Sequence, residues 1–222
     1  MSTDLTTLDN DGLDPLDANQ AAASTVAPNV FLAGNPATVG LPAFIVGSMA
    51  LGLVLVGYVP ASAIGASIPV IAAATGLGLT ISTIWAAATG QSAVASIFGI
   101  FSGFWLSYAM LVLGLTHDWF AIPAATAVRA QGLFLIAWLV IVSMLTAAML
   151  RLPLAFTVLF ALIDLALIAV LVGTLTASTG WLKLGGVLVF AFAAVGVYLY
   201  LGITSLVTGG TGLPLGKPVL GG

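Results

Sequence analysis

Gly34-Asn35-Pro36-Ala37-Thr38-Val39-Gly40-Leu41-Pro42-Ala43-Phe44 divides a polar, acidic segment from an almost uncharged chain. Asn35-Pro36 is turn chemistry: proline fixes its own φ and pushes the residue before it out of the α region. Gly40 and Pro42 fall in the first turns of a long apolar run, where proline is best tolerated. The stretch reads as the threshold of a membrane-spanning helix.

Before it, residues 1–33 hold Asp4, Asp9, Asp11, Asp14 and Asp17, five of the seven acidic residues in the chain. Their apolar content is too low for a core, so a disordered acidic tail is expected, with partner docking as its alternative role. The positive start and short apolar core of a signal peptide are missing from it.

After the threshold come six apolar runs, each near the roughly 20 residues that a bilayer span requires. They cover about 41–59, 64–88, 94–115, 132–150, 154–175 and 181–207. None alternates in the manner of a transmembrane β-strand. Only 5% of the residues are charged, and mean hydropathy is +1.23. A soluble domain carries about 25% charged residues, so this chain cannot cover a water-facing surface. The expected fold is an all-α membrane protein of six transmembrane helices over 34–210, ending in a short Gly/Pro-rich tail over 211–222. An even number of spans puts both termini on one side. Charge does not choose the side: Arg151 and Lys217 oppose Arg129 and Lys183.

Several chemistries are disfavoured by composition. Four basic residues and a net charge of -3 argue against nucleic acid. Cysteine is absent, and His117 is the single histidine. With no further ligands, His117 and Asp118 read as a loop pair capping the third helix rather than as a metal site. No phosphate loop or nucleophile elbow accompanies them. Neither an enzyme nor a cofactor is expected.

Helix faces can also be read. Ala74, Gly78, Ser82 and Ala86 recur every four residues on the second helix, and Gly99 and Gly103 form a GxxxG on the third. Small residues at this spacing let helices approach closely, within a bundle or between subunits. Phe98, Phe101, Trp105 and Tyr108 form one stripe of the third helix, either core or the wall of a narrow path. Asp164 is the ionisable residue well inside a span. Translocon scales put a central Asp at about +2.5 to +3.5 kcal/mol. It reads either as a site of proton coupling, with Thr157 on nearly the same face, or as an acid hydrogen-bonded to a neighbouring helix.

Asn35-Pro36-Ala37-Thr38-Val39-Gly40-Leu41 resembles the Asn-Pro-Ala-Pro-Leu-Gly-Leu signature of the acetate uptake transporters, the succinate–acetate permease (YaaH-type) family. Phe101-Ser102-Gly103-Phe104-Trp105-Leu106 is similar to the family's third-helix block, and Thr157 to Leu162 to part of its fifth helix. The resemblance covers about residues 34–218. It implies six transmembrane helices, a hexamer with a path in each protomer, cytoplasmic termini in the cell membrane, and passage of acetate or related monocarboxylates, with succinate in some members. It also implies an apolar constriction on the first, third and fifth helices, which falls on Phe44, Phe101 and Phe156, and a substrate-binding region at Asn35, Pro36 and Thr38. The chain departs from the family at Thr38, where the signature has its second Pro. Phe101 and Phe156 replace a Tyr and a Leu. Leu79 and Ala86 stand where a Gln and a Glu are usual, and Asp164 is an acid without counterpart.

Three functions follow. The leading one is transport of acetate or a similar acid, proton-linked or channel-like. The others are a channel for a neutral solute such as ammonia or urea, and a membrane scaffold whose tail recruits a partner.

Overall fold

Hydrocarbon offers no partner to a backbone N–H or C=O, so each span of such a chain has to satisfy its own. The computed structural model describes residues 34–221; the acidic segment over 1–33 lies outside them. Among the described residues, six helices are long and apolar enough to cross a membrane. They are α1 (Ala37–Val56), α2 (Ser62–Ala88), α3 (Ser92–Thr116), α4 (Ala124–Met149), α5 (Leu154–Thr176) and α6 (Thr179–Val207). The described residues thus form the all-helical body of a multi-pass membrane protein. α1 packs on α2 and α6, α2 on α3, α4 on α5, and α5 on α6. α3 and α4 meet largely through rings: Phe104 lies 5.4 Å from Trp138 and 5.6 Å from Phe134, between centroids.

Two helices depart from the limits that hydropathy sets. α4 begins at Ala124, eight residues ahead of the apolar run, so Arg129 and Gln131 are helical. α2 is not uniform. It opens as a 3-10 helix over Ala61–Ser67, continues as a π-helix over Val70–Leu77, and becomes α-helical at Gly78–Ala88. Pro69 accounts for the break: it has no N–H to give Gly65 O, and Ile68 N donates there instead. The π segment leaves Gly76 O reachable from outside its own ladder. Ser102 Oγ on α3 donates to it at 3.0 Å, and Thr80 Oγ1 at 2.9 Å. The segment also shifts the small-residue stripe. Ser82 and Ala86 are buried as the spacing predicts, but Ala74 is exposed and Thr75 takes the inner position. Gly99 and Gly103 serve neighbours within the bundle, Thr83 on α2 and Trp138 on α4.

α1 starts on the Asn-Pro pair itself. Asn35 Oδ1 accepts from Ala37 N at 3.0 Å, and Asn35 O accepts from Thr38 Oγ1 at 2.8 Å. Pro36 is fully buried, and its carbonyl accepts from Ser82 Oγ on α2 at 2.7 Å. At the other end of the chain the Gly/Pro-rich segment folds back on the bundle. Leu215 O accepts from Ala155 N at 2.9 Å, in the first turn of α5, and Leu150 O accepts from Leu220 N at 2.9 Å. Tyr198 Oη donates to Pro214 O at 2.6 Å.

The α1–α6 seam is close because Gly186 has no side chain. A methyl there would stand 2.7 Å from Val56 Cγ1, 3.0 Å from Leu55 Cβ and 3.1 Å from Gly52 O. Overpacking of this kind costs about 1–3 kcal/mol. Gly186→Ala is therefore expected to lower the thermal midpoint in detergent. Gly65→Ala, whose added methyl meets nothing within 4 Å, should leave it unchanged, and equal midpoints would mean that the seam yields.

Candidate functional site

A cavity of about 570 Å³ opens where α1, α3 and α5 end and α2, α4 and α6 begin, on the face opposite Asn35. Its deep wall is aromatic. Phe44 on α1 meets Phe101 on α3 edge-on, with centroids 5.3 Å apart and planes at 72°. Phe192 on α6 lies 5.6 Å from Phe44, and Phe160 on α5 lies 5.7 Å from Phe101. Phe44, Phe101 and Phe192 all border the cavity and all are buried. Phe192, Phe44, Phe101 and Phe160 thus form a chain of three ring contacts, and edge-to-face and tilted pairs add to what burial alone supplies.

Polar groups gather nearer the mouth. Gln131, Thr174, Thr179 and Lys183 line it, on the ends of α4, α5 and α6. Lys183 is the one charged residue among those lining the cavity. On α3, Phe101, Trp105 and Tyr108 share the face that turns to the cavity, whereas Phe98 covers Gly40 of α1. Trp105 is 1% exposed, and its Nε1 has no hydrogen-bond partner among the described residues. Leaving a buried donor unpaired costs about 1–3 kcal/mol.

The expected site residues are brought together only in part. Phe44 and Phe101 meet. Phe156 is half-buried and packs against the core; the rings that contact the Phe44–Phe101 pair are Phe192 and Phe160. Asn35, Pro36 and Thr38 stand at the far end of α1 from the mouth. The side-chain oxygen of Asn35 is used in starting the helix, which leaves its NH₂ group to donate elsewhere. Thr157 donates to Met149 O at 2.9 Å and joins the α4–α5 corner. Asp164 is half-buried on the α4 side of α5. It accepts from Thr146 Oγ1 at 2.6 Å and from Ser143 Oγ at 3.1 Å, and it is not among the residues lining the cavity. His117 Nδ1 lies 3.1 Å from Leu113 O at the end of α3, in a capping position.

Sequence reasoning missed Phe192 and the polar mouth. A signal for Phe192 was present. Gly185, Val189, Phe192, Gly196 and Leu199 follow the helical period and are the buried face of α6.

The chain matches the GPR1/FUN34/yaaH family over residues 19–209. It is 31% identical over 157 residues to the Meiotically up-regulated gene 86 protein of Schizosaccharomyces pombe, a match that covers 66% of this chain and 49% of that protein. The chain thus spans about half the length of that curated relative. Among solved structures it is similar in fold to the bacterial acetate channel SatP. There the TM-score is 0.73 and the identity 20%, over 83% of this chain and 99% of the other.

The hydroxyl clamp on Asp164 ties α4 to α5. Interhelical hydrogen bonds within membranes average about 0.6 kcal/mol and reach about 1.7 kcal/mol. A double-mutant cycle of Thr146→Val with Asp164→Leu, read from unfolding in mixed micelles, should give a coupling in that range. A coupling of zero would mean that the pair does not contribute to stability.

Proposed function

Because the chain belongs to the GPR1/FUN34/yaaH family, we propose that it carries acetate or a related small monocarboxylate across the membrane. The observation that carries this reading is the cavity closed at its inner end by Phe44, Phe101 and Phe192. A carboxylate in a lined, half-wet chamber keeps part of its hydration until it meets the rings. Beyond that point an isolated charge is expensive in an apolar surround, so the acid crosses protonated or together with a proton. The similarity in fold to a protein described as an acetate channel supports the choice of substrate class.

The parts divide as follows. Lys183 at the mouth draws anions toward an otherwise uncharged wall. The phenyl ring selects by size and excludes water. Phe156 on α5 is the remaining member of the constriction that the family implies, one turn from Phe160. Asn35, with Pro36 and Thr38, forms the substrate-binding region on the other side of the ring, its NH₂ group having no partner among the described residues. Asp164, with Thr157 two turns earlier on nearly the same face of α5, is the carboxyl available for proton linkage. It would act through the α4–α5 packing rather than by touching the substrate, because its partners are Ser143 and Thr146. The assembly in this reading is a hexamer in the cell membrane, with a path in each protomer and both termini cytoplasmic.

Labelled acetate, urea and ammonia uptake into proteoliposomes across a pH gradient tests the proposal. Acetate uptake well above that of protein-free vesicles is expected. Uptake of urea or ammonia alone would favour a neutral-solute channel, and uptake of none would favour a scaffold. In the same assay Phe101→Ala should widen the path and admit longer monocarboxylates; wild-type size selection in that variant would take Phe101 out of the constriction. Asp164→Asn should keep the protein folded while flattening the pH dependence of uptake. An unchanged pH profile would leave Asp164 with the structural role alone.

A further inference from the structure

Carbon dominates the wall of the cavity, and Lys183 carries its one formal charge. The other described basic residues, Arg129, Arg151 and Lys217, do not line it, and neither do the described acids, Asp118 and Asp164. Lys183 is exposed while bordering the cavity, so a solute at the mouth can reach it. Its side chain makes no ion pair and no hydrogen bond among the described residues. The same holds for the side chains of Gln131, Thr174 and Thr179, which share the mouth with it. Thr179 is exposed as well, and Gln131 and Thr174 are half-buried. An ammonium group only donates, and hydroxyls and a carboxamide can donate too. Uncommitted donors around a single positive charge suit an ionised carboxylate that is about to leave bulk water.

We propose that Lys183, with Gln131, Thr174 and Thr179, is an entry site that restricts the cargo to singly charged carboxylates. The proposal rests on the reading of this chain as a monocarboxylate transporter. It adds a selection by charge at the mouth, ahead of the selection by size at Phe44 and Phe101. A monocarboxylate paired with Lys183 leaves the chamber with no net charge. A dicarboxylate brings a second negative charge, and the wall holds no second cation to meet it. Deeper in, the lining is largely hydrocarbon, where an unpaired charge is costly. A wall with the ammonium group removed would treat a monocarboxylate as the present wall treats that second charge. Because the mouth opens to water, the attraction there weakens as salt rises.

Uptake into proteoliposomes at neutral pH tests this with acetate, propionate and malonate. Propionate and malonate have carbon chains of the same length, but malonate carries two charges. The wild-type protein should carry acetate and propionate and exclude malonate. Lys183→Gln should raise the apparent KM for acetate about tenfold, the size expected for losing one hydrogen bond between charged groups. Its rate at saturating acetate should hold. Lys183→Arg keeps the charge and should stay near the wild-type KM. Added salt should raise the wild-type KM and leave that of Lys183→Gln unmoved. Thr179→Lys places a second cation at the mouth, at an exposed position, and should admit malonate. An unchanged KM and salt response in Lys183→Gln, or malonate carried as readily as propionate by the wild-type protein, overturns the proposal. Should Lys183→Gln fail to fold, a wild-type KM insensitive to salt together with no malonate uptake by Thr179→Lys overturns it equally. In each of these outcomes the wild-type protein still carries acetate, so the transport reading survives. A wild-type protein that carries neither acetate nor propionate overturns that reading and this proposal with it.

Discussion

A hydroxyl inside a bilayer has no water to turn to, and that constraint orders most of this bundle. Ser48, Thr83, Thr116 and Thr176 each donate to the carbonyl four residues earlier on their own helix. Others reach across. Ser82 holds the start of α1, Ser102 satisfies the irregular turn of α2, and Thr157 ties α5 to the end of α4. Once these groups are spent within the protein, those left over become conspicuous. Among the described residues they are the Trp105 indole and the hydroxyls of Thr75 and Thr204.

The chamber also changes the energetics of crossing. A bilayer core is about 30 Å thick. A cavity reaching inward from one face until it meets Phe44 and Phe101 shortens the dry part of any route to the neighbourhood of the rings. In the function proposed above, selection then takes place over a few side chains. Their tilted, interlocked geometry leaves little freedom for one ring to swing unless its neighbours move.

The span count was legible because hydropathy and length report directly on the cost of backbone in hydrocarbon. The placing of Phe44 near Phe101 was legible because a resemblance supplied partners that periodicity alone could not. Other features were hidden for physical reasons. Pro69 lies within a strongly apolar run, so hydropathy gave no warning that the backbone there leaves the α-helical register. Arg129 and Gln131 stand ahead of the apolar run, yet they are helical, on the outer turns of α4, where Arg129 is exposed and Gln131 lines the cavity. Phe192 sat unnoticed because an aromatic on a wholly apolar helix does not declare which neighbour it faces. Asp164 stood out in the sequence as an ionisable group. Its two hydroxyl partners come from another helix, which a single chain pattern cannot pair.

The segment after α6 works as a fastening. Since Leu215 O takes up the amide of Ala155, the first turn of α5 owes one of its backbone bonds to residues sixty positions away. Shortening the polypeptide ahead of Leu215 would bare that amide at the membrane edge, whereas an appendage joined beyond Leu220 would leave the clasp shut. The few residues that look most dispensable by composition therefore set where a label can be attached without loosening the helix that carries Asp164.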